Sequence, residues 1–180
     1  AVDTIINYGK SLGFPFESAK YFASYTLAAM VIGYIIGIIT IPRYLKQEQS
    51  LMISAVLGIV FTLLAVATTG MRTGGTLTIG ALSLPFDLSV FFIALLGLAN
   101  AVMWPAIWPL AIDGLGRFTK IGSSLLIMGI AGGALIPLLY GYLVDISSPG
   151  LSYWIAVPCY LFIFYFAYSG HKYRSWKLIK

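Results

Sequence analysis

Asn100, Trp104 and Trp108 recur at i, i+4 and i+8, which puts an amide and two indole faces on one side of a helix. Such a stripe suits a hexose. Sugar rings present apolar C–H faces that stack on aromatic rings, and hydroxyls that need both a donor and an acceptor, which a carboxamide supplies together. The same residues also suit packing, with the indoles against neighbouring helices and Asn100 hydrogen-bonded across an interface. Asp3, Asn7 and Lys10, at i, i+4 and i+7, spell a second polar stripe. Asp3 is the one carboxylate expected well inside an apolar span, where an ionisable group costs at least about 2.5 kcal/mol and by default marks a substrate or ion site. Its competing role is to pair with a cation on helices outside this sequence. Lys10 is expected to reach an interface by extending its stem.

The composition says what must hold these stripes. Of the 180 residues 59% are hydrophobic and 9% charged, and the mean hydropathy is +0.92, whereas a soluble domain carries about 25% charged residues. The expected fold is therefore an all-α, polytopic membrane helix bundle. The net charge of +5 sits in short basic clusters between apolar runs, a pattern of membrane topology rather than of nucleic-acid binding. A single cysteine, Cys159, excludes an internal disulfide and a Cys-rich metal site, and reads as a packing residue. Beyond Asp3 no buried carboxylate pair, histidine cluster or Ser/His/Asp set is visible, so no enzyme, no metal and no cofactor is expected. His171, in the basic tail, reads as a solvated interface residue.

Apolar runs of about 20 residues, enough to cross the hydrocarbon core, recur at Ala19 to Ile41, Leu51 to Thr69, Leu88 to Ile112, Ser123 to Leu143 and Leu151 to Tyr168. An incomplete helix over Ala1 to Leu12 precedes them, and a basic tail covers 169–180. The start Ala-Val-Asp lacks a basic n-region, so no signal peptide is expected and the chain reads as the tail of something longer. Eight of the eleven Lys and Arg (Arg43, Lys46, Arg117, Lys120, Lys172, Arg174, Lys177 and Lys180) fall in the two even-numbered loops and the tail. The positive-inside rule makes those segments cytoplasmic. Tyr153 and Trp154, with Tyr168, Tyr173 and Trp176 at the other end, fit two aromatic belts. Gly70 to Phe86 is expected to be the longest external loop.

Pro105 and Pro109 each remove an N–H from the helix ladder, and Pro137 does so beside Gly129, Gly132 and Gly133. A kinked helix against a glycine-rich one can rock, as alternating access requires, although both residue types are common in membrane helices that never move. Gly33 and Gly37 form a small-xxx-small pattern that allows close helix approach. Asp113 and Arg117 read as a charge pair or as a solvated turn. Tyr25 and Thr26 are further candidates to face a cavity. Six spans, the first and fourth opening sets of three, suit the three-plus-three inverted repeat of a major facilitator half.

The run Asn100-Ala-Val-Met-Trp104-Pro105-Ala-Ile-Trp108-Pro109-Leu-Ala-Ile112, then Asp113-Gly-Leu-Gly-Arg117-Phe-Thr-Lys120-Ile-Gly122 and Gly132-Gly133-Ala-Leu-Ile-Pro137-Leu-Leu-Tyr140-Gly141, resembles the fucose, galactose and glucose:proton symporters of the major facilitator superfamily, the bacterial glucose/galactose transporters most of all. Asp3-Thr-Ile-Ile-Asn7-Tyr8 is similar to the end of that family's seventh helix, and Pro42-Arg43 to its loop between helices eight and nine. The resemblance implies late helix seven to helix twelve, the C-terminal half of a transporter. It implies symport of a hexose with a proton across a bacterial inner membrane by alternating access, with sugar touched by Asp3, Asn7, Asn100, Trp104 and Trp108. The partners so implied are hexose, proton, lipid bilayer and an N-terminal six-helix half, which in this family bears the coupling carboxylates. The alternative is a freestanding six-helix membrane protein acting as a dimeric pore or a scaffold subunit.

Overall fold

The structure is a computed structural model that describes residues 2–41, 43–69, 75–79 and 82–172, with only the backbone described for 2, 3, 75–79 and 82–86. Pro42, the loop residues 70–74, 80 and 81, and the tail from Tyr173 onward lie outside the described residues. The chain runs α1 (Val2–Ser11), α2 (Phe16–Thr40), α3 (Gln47–Thr68), β1 (Gly75–Ile79), β2 (Leu82–Phe86), α4 (Leu88–Ala101), α5 (Met103–Ile112), α6 (Thr119–Met128), α7 (Gly132–Ile146) and α8 (Ala156–Tyr168). Among the described residues five helical stretches are long and apolar enough to cross a membrane: Phe16–Thr40, Gln47–Thr68, Leu88–Ile112, Gly116–Ile146 and Leu151–Tyr168.

The packing has the polarity of a protein built for lipid. Ile32, Ile35, Ile36, Ile38 and Ile39 of α2 point outward, while the buried positions are largely small: Ala29 and Gly33 of α2, Ser54, Ala55, Gly58 and Ala65 of α3, and Ala94, Gly97 and Ala101 of α4. Acyl chains are as apolar as isoleucine, so helices associate through close backbone approach rather than by hiding large side chains. A Cβ on Gly33 would lie 2.7 Å from the Ala101 Cβ and 2.8 Å from the Leu98 carbonyl oxygen, and one on Gly37 would lie 2.8 Å from a Val102 methyl. The small-xxx-small pattern thus forms the crossing of α2 with α4. Buried hydroxyls are returned to their own helices, Thr26 to the Phe22 carbonyl at 3.2 Å and Thr62 to the Gly58 carbonyl at 2.7 Å. This corrects the cavity role considered for Thr26, whose side chain is fully buried on the α4 side.

Helix α4 is central, flanked by α2 and α3, with α8 on the far side of α3 and α1 against α2. The long third crossing is interrupted at Val102, which departs from regular helix dihedrals at φ −91 and ψ −11 while staying in the right-handed helical region. Pro105 therefore falls in the first turn of α5, where a missing N–H has no intrahelical partner to lose. Pro109 remains inside α5. The fourth crossing breaks at a 3-10 turn, Gly129–Ala131, before α7 resumes with Pro137 inside it. Helix α7 rests on α1 and on the 3-10 turn Leu151–Ile155. The glycine-rich segment is thus not the packing partner of the kinked helix. A Cβ on Gly129, Gly132 or Gly133 would meet nothing within 4 Å.

One expected loop has structure. Within Gly70 to Phe86 the strands β1 and β2 pair antiparallel from Gly75 with Phe86 to Ile79 with Leu82. Alternation of Thr and Ser with Leu and Ile gives the two-residue period that a ladder uses.

Candidate functional site

Helix α1 turns Ile5 and Tyr8 into the core and leaves Asn7 and Lys10 on its outward face. Thr4 and Asn7 of α1 face a stripe of α7 (Pro137, Tyr140, Val144 and Asp145) across a cleft of about 350 Å³. A smaller hollow of about 90 Å³ lies beside it, bordered by Asn100 and Leu96 of α4 and by Tyr160 of α8. Thr4, Pro137 and Tyr140 line both hollows.

Tyr140 is 6% exposed. Its hydroxyl donates to the Pro149 carbonyl at 3.3 Å, and its ring centroid stands 4.9 Å from that of Tyr153. Tyr153 in turn shares a 2.9 Å hydrogen bond with the Thr4 hydroxyl and meets Tyr8 edge-on at 5.5 Å. The Tyr8 hydroxyl donates to Ser89 Oγ at 2.8 Å and lies 3.2 Å from Thr69 Oγ1. Ser89 donates to the carboxylate of Asp87. That carboxylate is 5% exposed and caps α4 by accepting from the Ser89 and Val90 amides. A capping acid at a helix N-terminus satisfies orphan N–H groups and meets the positive end of the helix dipole.

The positions singled out from sequence are distributed unevenly about this geometry. Asn7 lines the wide cleft. Asp3 precedes it by one turn on α1, and its side chain lies outside the described residues. Asn100 lines the small hollow, where its Oδ1 accepts from the Tyr160 hydroxyl at 3.1 Å. Trp104 is 44% exposed and tilts against Trp108 with 5.7 Å between ring centroids. Neither indole is among the residues lining the cleft or the hollow. Tyr25 is half-buried against Phe22, and Lys10 holds its ammonium over the Phe16 ring at 4.7 Å. Arg117 lies over the ring of Phe118.

Two carboxylates and a histidine differ from expectation. Asp87 is buried, because the two amides it caps and the Ser89 hydroxyl supply the partners that an isolated apolar span would deny it. Asp145 lines the cleft although neither polar stripe contains it. The signal was present: Pro137, Tyr140, Gly141, Val144 and Asp145 stand at i, i+3, i+4, i+7 and i+8, one face of a helix. The His171 side chain is only 6% exposed, with Nε2 3.0 Å from Glu48 Oε2 and Nδ1 3.0 Å from the Phe166 carbonyl oxygen. It is a tertiary tie between the end of α8 and the start of α3, not a solvated residue.

Fold and site together define a multi-pass helical membrane protein with a cleft of mixed polar and apolar lining between two of its helices. The chain is similar along most of its length to named sugar transporters. It is 29% identical to the glucose/galactose transporter of Brucella abortus over 86% of the chain and 33% of that protein. It is 27% identical to a putative glucose/galactose transporter of Helicobacter pylori over 93% of the chain and 38% of that protein. With the L-fucose-proton symporter of Haemophilus influenzae it shares 26% identity over 98% of the chain and 37% of that protein. The chain thus spans about a third of the length of these relatives. No protein-family model and no solved structure matches it.

Proposed function

We propose that this chain is the C-terminal half of a secondary transporter that moves a hexose (glucose, galactose or fucose) together with protons across a bacterial inner membrane. The observation that carries this is the similarity over 86–98% of the chain to glucose/galactose transporters and a fucose-proton symporter, each about three times as long. The N-terminal half completes the sugar site and bears the coupling carboxylates. Sugar contacts in this half come from Asp3, Asn7, Asn100, Trp104 and Trp108. The amide of Asn7 on an open cleft and that of Asn100 on the adjoining hollow support two of these assignments. Alternating access is supported by helix breaks at Val102 and at Gly129–Ala131 in the third and fourth crossings. The distribution of Lys and Arg supports a cytoplasmic C-terminus, with the α7 end at Ile146 external.

Uptake of labelled hexoses by the natural polypeptide in proteoliposomes, with and without an imposed proton gradient, tests the reading. Gradient-stimulated accumulation of glucose, galactose or fucose is expected. In that assay Asp3→Asn and Trp104→Ala are each expected to cut uptake at least tenfold, the loss of about 1.4 kcal/mol or more of binding. Absence of uptake for all three sugars overturns the function, and unimpaired uptake by both variants overturns these two site assignments.

A further inference from the structure

We propose that the cleft between α1 and α7 is the seat of one sugar ring, with the Asp145 carboxylate accepting hydrogen bonds from two adjacent ring hydroxyls and Tyr140 forming the floor. This inference rests on the hexose-transport reading. It adds contacts from α7, next to Asn7, to those proposed from the polar stripes.

Size decides between the hollows. About 350 Å³ falls within the range of small-molecule sites, whereas about 90 Å³ has room only for a few waters. Chemistry agrees with size. Asn7 offers a donor and an acceptor, Thr4 a hydroxyl, and Pro137 and Val144 an apolar wall for the ring's C–H face. Asp145 adds an acceptor-only group with about four lone-pair sites, which can hold a vicinal pair of hydroxyls in bonds stronger than neutral ones. Among the described residues no cation pairs with Asp145. The cleft is built from two helices, so its width follows the tilt of α7 against α1. Helix α7 begins immediately after the 3-10 break at Gly129–Ala131, where added methyl groups would meet nothing. Tyr140 borders both hollows, so a swing of α7 moves the partition between the cleft and the Asn100 hollow.

The test is uptake kinetics of the natural polypeptide in proteoliposomes, using the transported hexose and its monodeoxy derivatives. Asp145→Asn keeps the shape and removes the charge. It is expected to raise KM about tenfold with little change in Vmax, because a charge-assisted bond is lost. The monodeoxy sugar lacking the engaged hydroxyl is expected to be a poor substrate for the wild type and no poorer for Asp145→Asn. An unchanged KM in Asp145→Asn, with the wild type active, overturns the seat and leaves the transport reading standing. Failure of the wild type to take up any hexose overturns that reading and the seat with it. In Val144→Cys combined with Cys159→Ser, which keeps the Asp145 carboxylate, the transported hexose is expected to slow maleimide labelling several-fold, and absence of protection overturns the seat even where Asp145→Asn does not accumulate.

Discussion

Asp87 does two jobs with one carboxylate. It caps α4 through the Ser89 and Val90 amides, and through the Ser89 hydroxyl it holds Tyr8 of α1. Asp87→Ala therefore loses the cap and leaves the buried Ser89 hydroxyl without its acceptor, and is expected to lower stability by about 1 to 3 kcal/mol. Asp87→Asn keeps an acceptor oxygen and is expected to cost less than about 1 kcal/mol. Thermal unfolding in detergent, compared across the two variants, checks the order. The chain prints Asp87 between Phe86 and Leu88 much as it prints any interfacial acid. Nothing local reveals that Tyr8, distant in sequence, will arrive beside it. Asn100 has a similar history: its spacing with Trp104 was legible, but its bond to Tyr160 on α8 was not.

At the scale of elements, glycines of one composition serve opposite ends. Gly33 abuts the backbone of α4 at Leu98 and cannot give way, whereas Gly132 has open space around its Cβ position. Gly33→Val is expected to push α2 from α4 and cost about 1 to 3 kcal/mol. Gly132→Ala is expected to gain up to about 1 kcal/mol through helix propensity, while slowing sugar turnover because α7 bends less easily. Melting temperature and uptake rate measured on the same preparations separate these outcomes. The small-xxx-small spacing announced the first crossing. Proline positions announced strain in the third and fourth helices, but the breaks came at Val102 and Gly129–Ala131 rather than at a proline itself. The interruption at Val102 puts Pro105 in the first turn of α5, where the N–H it forgoes has no partner to lose, whereas Pro137 stays inside α7.

For the whole molecule, the five stretches among the described residues that are long and apolar enough to cross a membrane, with the basic C-terminal tail, lead to an expected labelling pattern. In a Cys159→Ser background, a cysteine at Glu17 is expected to react with an impermeant maleimide in intact cells, and one at Lys120 only after permeabilisation. The reverse pattern would invert the orientation.

Hydropathy alone determined that the chain is a multi-pass helical bundle, since a run of apolar residues in lipid has no lower-energy form than a helix that satisfies its own backbone. The motif around Asn100 and Trp104 likewise pointed to the sugar transporters that the chain resembles. Which residues share a hollow was decided only by tertiary packing. Helical periodicity places Asn100 and Trp104 on one stripe, but the break at Val102 and the approach of Tyr160 set Asn100 beside a hollow whose lining excludes Trp104. Thr4 of α1 lies far along the chain from Tyr140 and Asp145 of α7, and the three become neighbours because α7 comes to rest on α1. Spacing within one helix is written in the sequence, whereas the partner across a cleft depends on how whole helices pack.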